Sequence, residues 1–193
     1  MVVIASPEVV LGRFWNEHDA LADRWLSLME RLFLKENNAL EKKQGLIERL
    51  ESIRRVLKSD SGYISAFENL FSLYSEKERY YHNVTHIKDC FAEFDSAKAI
   101  VQKPIVLELA IWYHDTIYDT KAKDNEERSA QLALDTLKKL GAPEEASKSV
   151  YELILATKHI EEPCSADGKI LVDIDLSIFG KPEIGRASCR ERV

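Results

Sequence analysis

The sequence predicts an all-α protein, and three observations support that fold class. Glycine and proline are scarce, with 7 and 5 among 193 residues, so few positions interrupt a helix. Apolar residues recur at intervals of three and four along most of the chain, which is the spacing of one helix face. Strand and helix patterns do not alternate, and the sequence has no glycine-rich loop of the kind that cradles a phosphate group.

Two amphipathic stripes precede the first turn signal, Ser59-Asp60-Ser61-Gly62. The first predicts a helix over 9–34, and the second, more charged stripe predicts a helical segment over 40–57. Such stripes are typical of a protein core or of a surface that packs on a partner helix. We therefore predict an N-terminal helical extension over 1–61, which offers a surface for forming a homo-oligomer. The stripes consist of Phe14, Leu21, Trp25, Leu28, Met29, Leu32 and Phe33, and of Leu40, Leu46, Ile47, Leu50, Ile53 and Leu57.

The remaining helical segments fall within 62–182, which we predict to form one domain. The segment over 104–113 is apolar nearly all round, as in a helix that is buried on most sides. Each of the other predicted helical segments also has a polar face. The predicted segments are 63–74, about 80–99, 104–113, 124–140 and 143–159, with a short apolar piece over 170–179 that follows Gly168.

Capping signals mark the ends of three of these segments. Pro104 suits a first helical turn, where its missing N–H would have no partner. Asp124, with Glu127 three residues later, resembles a capping box that opens a helix. Gly141 and Pro143 close that helix and begin the next.

The last residues, 183–193, match nothing before them. The string resembles the translation of a widely used DNA-sequencing adapter read in frame. We therefore interpret it as a non-native tail, and we expect the domain to be truncated at its C-terminus. The alternative is a genuine basic terminus.

Charge and composition exclude several classes of function. The formal net charge is −6, and no cluster of Lys and Arg is interleaved with aromatic residues, so we predict no nucleic-acid partner. No run of 18 apolar residues occurs, so we predict no membrane association. Three cysteines at unpatterned spacing predict free thiols in the cytoplasm. An acidic protein can still bind a small phosphorylated molecule when a metal ion supplies positive charge.

Imidazole and carboxylate groups gather at a few positions. His82 and His86 are four residues apart, which places them on one face of a helix. His114 and Asp115 end the most apolar segment, where buried carboxylates are costly unless they are paired or bound to metal. A divalent cation would satisfy all of these groups, and imidazole with carboxylate suits Mn, Fe, Co, Ni or Zn. The other candidates are His159, at a helix end, and Asp173 and Asp175, within an apolar stretch.

Each of these signals also has a structural interpretation. A histidine pair at this spacing is often on the surface or in a cap, and Asp173 is suited to capping a short helix. A His-Asp dipeptide also arises by chance, as at His18-Asp19, which lies in a polar stretch that we interpret as solvated surface. Spacing alone supports the metal site and the structural interpretation about equally.

The order His…His-Asp…Asp on a helical chain resembles the HD-domain superfamily of metal-dependent phosphohydrolases. The segment from Tyr81 to Asp89 is similar to the first motif of cyclic-nucleotide phosphodiesterases. The stretch 80–180, about half the chain, most resembles a group of uncharacterised bacterial predicted HD hydrolases. The four motifs that carry this resemblance are Tyr81-His82-Asn83-Val84-Thr85-His86-Ile87, His114-Asp115-Thr116-Ile117-Tyr118-Asp119, Asn125-Glu126-Glu127-Arg128-Ser129-Ala130 and Asp173-Ile174-Asp175-Leu176.

The resemblance implies an HD-type helical bundle that holds one or two divalent ions, with Mn, Ni, Co, Fe, Zn and Mg as candidates. It implies that His82 is the general acid that protonates the leaving oxygen, and that Asp115 also acts in catalysis by orienting a water molecule. Asp173 rivals Asp175 as the fourth ligand, and we favour Asp175. The implied metal ligands are His86, His114, Asp115 and Asp175, and the residues implied as second-shell or second-metal groups are Asp173, His159 and Glu126.

The expected activity is hydrolysis of a small phosphorylated substrate, with a nucleotide-like substrate favoured. The glutamine with which the phosphodiesterases grip the base has no counterpart here, so cyclic-nucleotide specificity is not implied. Two alternatives stay open. One is a di-iron HD-type oxygenase, and the other is a non-catalytic helical interaction module in which the site residues are relics.

Overall fold

The computed structural model describes Ile53, Leu57 and residues 62–77 and 79–180. The helices predicted over 9–34 and 40–57, apart from Ile53 and Leu57, and the tail over 183–193 lie outside the described residues. Those described contain helices and no strand, which confirms the all-α prediction. The helices are α1 (Gly62–Tyr74), α2 (Val84–Ala97), α3 (Pro104–Tyr113), α4 (Asn125–Lys139), α5 (Glu144–Ala156) and α6 (Ala166–Leu176). Short 3₁₀ turns, Lys98–Ile100 and Ser177–Gly180, follow α2 and α6.

Helix α3 is the centre of this part of the chain. It packs against α2, α4, α5 and α6, and every residue from Leu107 to Tyr113 is buried. The apolar run of the sequence therefore forms the predicted buried helix, with Pro104 in its first turn. Burial of such a run on all sides supplies the main favourable contribution to folding. Among the described residues, no helix combines the length and apolarity needed to cross a bilayer.

Polar side chains begin α2 and α6. The side chain of Asn83 accepts a hydrogen bond from the Thr85 N–H at 2.8 Å, and Ser165 Oγ accepts one from the Gly168 N–H at 3.0 Å. Both residues have the extended backbone of an N-cap. Asp173, which had an alternative interpretation as a cap, lies inside α6 and is exposed.

The capping box predicted for α4 is wrong in its contacts. Asp124 is the N-cap residue, but its carboxylate makes no capping hydrogen bond. Its ψ of 23° is not the extended conformation that directs a cap side chain at the first helical turn. Glu127 instead forms an ion pair with Lys158.

Three predicted boundaries shift, and one shift matters for the site. Helix α2 begins at Val84, so His82 lies in the turn before it and does not share a helix face with His86. Helix α5 ends at Ala156, and His159 adopts a left-handed backbone with φ of 54°. Helix α6 begins at Ala166, four residues before the predicted apolar piece.

Arg79 joins the turn before α2 to the end of α3. Its side chain is buried, and its guanidinium donates to the carbonyl oxygens of Asp115 and Thr116, each at 2.6 Å. It also donates to the His82 carbonyl at 3.3 Å and pairs with Glu76 at 3.1 Å. The planar fork of arginine suits several fixed acceptors at once. The two candidate catalytic residues, His82 and Asp115, are thus held by one side chain.

Asp167 joins α6 to the start of α3. Its buried carboxylate accepts hydrogen bonds from the Gln102 and Lys103 N–H groups, each at 2.8 Å. Hydrogen bonds to a charged acceptor are about twice as strong as neutral ones. This contact sets where α6, and therefore Asp175, lies relative to α3.

We predict that Asp167→Ala lowers the free energy of unfolding by about 2–4 kcal/mol, because two backbone N–H groups lose a charged acceptor. Asp173→Ala is the matched control, since Asp173 is exposed on the same helix and should change the value by less than about 0.5 kcal/mol. Urea unfolding followed by circular dichroism measures both variants. Equal losses in the two would contradict the role given to Asp167.

Candidate metal centre

Three helix ends bring the candidate ligands together. His86 lies in the first turn of α2, His114 is the C-cap residue of α3 and is followed by Asp115, and Asp175 lies near the end of α6. Helices α2, α3 and α6 pack against one another. Residues that are distant in the sequence therefore meet at one point.

The four side chains place one ligand atom each within 4.8 Å of all the others. The Nε2 atoms of His86 and His114 are 3.1 Å apart. His86 Nε2 lies 3.4 Å from Asp115 Oδ2 and 3.2 Å from Asp175 Oδ1. His114 Nε2 lies 3.2 Å and 3.5 Å from the same two oxygens. We call these four residues the His/Asp cluster.

The imidazole of His114 is fixed in the tautomer that a metal requires. Its Nδ1 lies 2.8 Å from the carbonyl oxygen of Ile111, and a carbonyl can only accept, so Nδ1 carries the hydrogen. In the neutral ring, Nε2 then presents a lone pair to the centre of the cluster. A hydrogen bond from the second ring nitrogen is the usual support of a metal-binding histidine.

One carboxylate oxygen of the cluster needs a proton or a cation beside it. Asp115 Oδ2 is buried, and no described donor reaches it with hydrogen-bond geometry, although both Nε2 atoms lie within 3.4 Å. Lone pairs on nitrogen and oxygen at these distances repel unless a proton or a cation lies between them. A buried acceptor without a partner is costly.

The imidazoles and carboxylates of the cluster stabilise each other's charged forms. Burial works to lower the pKa of His86 and His114, but Asp115 and Asp175 outweigh it and hold both pKa values well above the usual 6.5. Burial likewise works to raise the pKa of each carboxyl, and the imidazoles outweigh it, so both pKa values lie below the ordinary range. Opposite charges within this distance favour the charged forms.

The donor set fits a divalent cation. First-row divalent ions bind imidazole nitrogen and carboxylate oxygen at about 2.0–2.2 Å, so neighbouring ligand atoms around one ion lie about 3–3.5 Å apart. The measured separations in the His/Asp cluster, 3.1–3.5 Å, fall in that range. His86, His114, Asp115 and Asp175 can therefore hold a metal ion.

The cluster is closed on the imidazole side and open on the carboxylate side. The His86 and His114 side chains are 1% exposed, whereas those of Asp115 and Asp175 are each 18% exposed. A catalytic metal site keeps an open position, in contrast to a structural one. A separate cavity of about 720 Å³, bordered by α3, α5 and the start of α6, includes none of the four residues in its lining.

His82 lies at the open side. Its Nε2 is 3.9 Å from Asp115 Oδ2, and its side chain is 24% exposed. Its ring stacks on Tyr118 with centroids 4.1 Å apart and makes an edge contact with Tyr81 at 4.8 Å. His82 therefore lies beside the His/Asp cluster without being one of its four members.

The three residues predicted as second-shell or second-metal groups differ in how they lie relative to the His/Asp cluster. His159 Nε2 lies 3.3 Å from Asp175 Oδ2, and this contact raises the pKa of His159 above 6.5. Glu126 is half-buried and adds to that shift. Asp173 is exposed. Among the described residues, the groups that can hold a metal ion include none of the three.

Sequence reasoning missed Cys90 and Tyr74. Cys90 is buried one turn after His86, and its Sγ lies 3.6 Å from His86 Nε2. The spacing of four residues was the available signal. The Tyr74 hydroxyl accepts from the Asp115 N–H at 3.2 Å and donates to the Trp112 carbonyl at 3.1 Å, and burial raises its pKa to about 12. Its contacts are 38 and 41 residues away, so no local pattern could reveal them.

We predict that cation binding tightens as the pH rises. His86 and His114 have pKa values above 6.5, so at low pH a cation must displace protons from their Nε2 atoms. The same shift stabilises the metal-free fold below about pH 6.5, and this contribution is lost as the pH passes through the raised values. Calorimetric Mn²⁺ titration and urea unfolding of the metal-free chain, each between about pH 5.5 and 9, measure the two effects. An affinity that does not change with pH would contradict the assignment of these ligands.

Comparisons with known proteins give no independent support for the candidate metal centre. No protein-family model, no curated protein and no solved structure matches this chain. The assignment of the His/Asp cluster as a candidate metal centre therefore depends on the distances, burial and charges of its own residues.

Proposed function

We propose that the chain is a metal-dependent phosphohydrolase that cleaves a small phosphorylated substrate. The observation that carries the proposal is the convergence of two buried imidazoles and two carboxylates, with His82 at the open side. The order of the motifs in the sequence supports the same reaction class, because it resembles the HD-domain pattern. A nucleotide-like phosphate is the substrate class that we favour.

Charge explains why the site needs a cation for such a substrate. Asp115 and Asp175 carry two negative charges that the imidazoles at most balance, and the chain as a whole carries −6. The metal-free site therefore offers no net positive charge to a phosphate ester. A divalent cation held by the His/Asp cluster would offer an open coordination position to a phosphoryl oxygen, polarise that oxygen and lower the pKa of a water molecule.

His82 is our candidate for the group that donates a proton to the leaving oxygen. Histidine titrates near neutral pH, which suits a general acid. The ring is held on Tyr118, and the His82 carbonyl accepts from Arg79. The Nε2 atom of His82 lies 3.9 Å from Asp115 Oδ2, beside the proposed metal position.

The carboxylates of Asp115 and Asp175 contact different histidines, and we therefore assign them different roles. Asp175 directs Oδ2 to His159 and Oδ1 to the imidazoles of the cluster. It is thereby oriented as a ligand, and His159 serves as a positioning residue. Asp115 Oδ2 lies 3.9 Å from His82 Nε2 and 3.2 Å from His114 Nε2, and we assign the Asp115 carboxylate to orienting the attacking water in addition to binding the metal.

The activity is tested by metal analysis and by a screen of phosphorylated metabolites. We expect manganese, nickel, cobalt or zinc to support release of inorganic phosphate or of a phosphomonoester from at least one substrate. Two iron ions per chain after anaerobic loading, with dioxygen uptake once oxygen is admitted, would favour an oxygenase instead. Absence of tight metal binding would favour a non-catalytic helical module.

We predict that Asp175→Asn abolishes turnover and weakens metal binding at least about 100-fold, because the variant loses a charged ligand. Asp173→Asn is the control, because Asp173 is exposed two residues away and should keep both properties. Calorimetric titration and a steady-state assay measure them. If the two variants behave alike, Asp175 is not a ligand.

We predict that His82→Ala lowers kcat about 10²–10⁴-fold, the range typical of a lost general acid, while the metal stays bound. Metal content of the purified variant and phosphate release give the two readouts. A substrate whose leaving group needs no proton should lose much less activity. Full turnover on every substrate would exclude His82 as the proton donor.

A further inference from the structure

The loop between α3 and α4 carries the aromatic ring on which His82 stacks. Tyr118 lies outside any helix, and its ring centroid is 4.1 Å from that of His82, with 30° between the two planes. The Tyr81 ring meets the same imidazole edge-on at 4.8 Å. The imidazole of His82 is therefore bounded by two aromatic rings at the open side of the His/Asp cluster.

Ser129 holds the residue before Tyr118. It is fully buried in the second turn of α4. Its Oγ accepts a hydrogen bond from the Ile117 N–H at 3.0 Å and donates one to the Ile117 carbonyl oxygen at 3.4 Å. One hydroxyl therefore satisfies both backbone polar groups of a residue that lies outside any helix.

Asn125 holds the residue after Tyr118 in the same way. Its Oδ1 accepts from the Asp119 N–H at 3.1 Å, and its Nδ2 donates to the Asp119 carbonyl oxygen at 2.8 Å. The side-chain amide of asparagine offers both an acceptor and donors, so it can serve both groups of one residue. Two side chains of α4 therefore fix the backbone on each side of Tyr118.

We propose that Asn125 and Ser129 position Tyr118, and that the Tyr118 ring positions the imidazole of His82 for proton transfer. The inference rests on the proposed function, in which His82 is the proton donor. It also gives a role to the motif Asn125-Glu126-Glu127-Arg128-Ser129-Ala130, because a spacing of four residues places Asn125 and Ser129 on one face of α4. These residues act through others and are positioning residues.

The proposed proton donor needs such support because of where it lies. A general acid must lie within hydrogen-bond reach of the oxygen that it protonates. His82 lies in the turn before α2, and its side chain is 24% exposed, so burial alone does not confine its rotamer. A small misplacement of a catalytic group lowers the rate substantially. A ring stacked on a loop that is itself held at both sides restricts that misplacement.

The kinetic experiment compares two substrates of the full-length, metal-loaded chain. Phenyl phosphate has a leaving oxygen that needs a proton, whereas p-nitrophenolate leaves without one. In Tyr118→Leu, kcat for phenyl phosphate should fall at least about 10-fold and kcat for p-nitrophenyl phosphate less than about threefold. Tyr118→Phe keeps the ring and should stay within about threefold of wild type on both substrates. In a His82→Ala background, Tyr118→Leu should change kcat by less than about twofold, because the group that it positions is already gone.

The outcomes separate this inference from the proposed function. Equal losses on the two substrates in Tyr118→Leu, a further loss in the His82→Ala background, or a loss in Tyr118→Phe as large as in Tyr118→Leu would overturn the positioning role and leave the proposed function intact. Wild type that hydrolyses neither these substrates nor any phosphorylated metabolite would overturn both.

A measurement in solution keeps the inference falsifiable if Tyr118→Leu does not fold. Proton NMR of the Zn²⁺-loaded chain follows a ring proton of His82, assigned by its loss in His82→Ala. Stacking on Tyr118 should move this resonance upfield in wild type, and Asn125→Ala should move it back. Gln131→Ala is the matched control, because Gln131 is exposed on the same helix, and it should leave the resonance in place. A resonance typical of a solvated histidine in wild type, or the same resonance in wild type and Asn125→Ala, would overturn the inference.

Discussion

One constraint governs the site: two buried imidazoles lie 3.1 Å apart beside two carboxylates, and the charges of these four groups must be balanced. Each imidazole is nearly free of solvent, and His114 has its Nδ1 hydrogen committed to a backbone carbonyl. Burying such a group of ionisable side chains is unfavourable unless their charges are balanced within the site. Protons on the two imidazoles would balance the carboxylates in the metal-free chain, and one divalent cation would balance them with neutral imidazoles, so the fold and the proposed chemistry have the same electrostatic requirement.

That requirement explains the arrangement of the helices around α3. The most apolar helix ends at Tyr113, where His114 and Asp115 meet the start of α2 and the end of α6. Apolar burial along α3 provides the free energy that holds the ionisable groups together. Polar contacts then set the register at each end, through Arg79 at the α2 side and Asp167 at the α6 side.

Features that follow from neighbouring residues could be predicted from the sequence, whereas contacts between distant residues could not. Periodicity predicted the all-α class and the buried helix over 104–113, because both follow from neighbouring residues. It placed His82 on a helix, since nothing in a spacing of four shows that Asn83 caps the helix after it. The spacing of the three cysteines does not single out Cys90, because its close neighbour is the histidine one helical turn before it. Arg79 was missed because its acceptors are 36 and 37 residues away.

Arg79 also couples the two candidate catalytic residues through their backbones. Its guanidinium donates to the carbonyl oxygens of His82, Asp115 and Thr116, and none of these contacts involves the side chain of His82 or Asp115. A substitution at Arg79 would therefore shift both residues together while leaving the chemistry of their side chains unchanged.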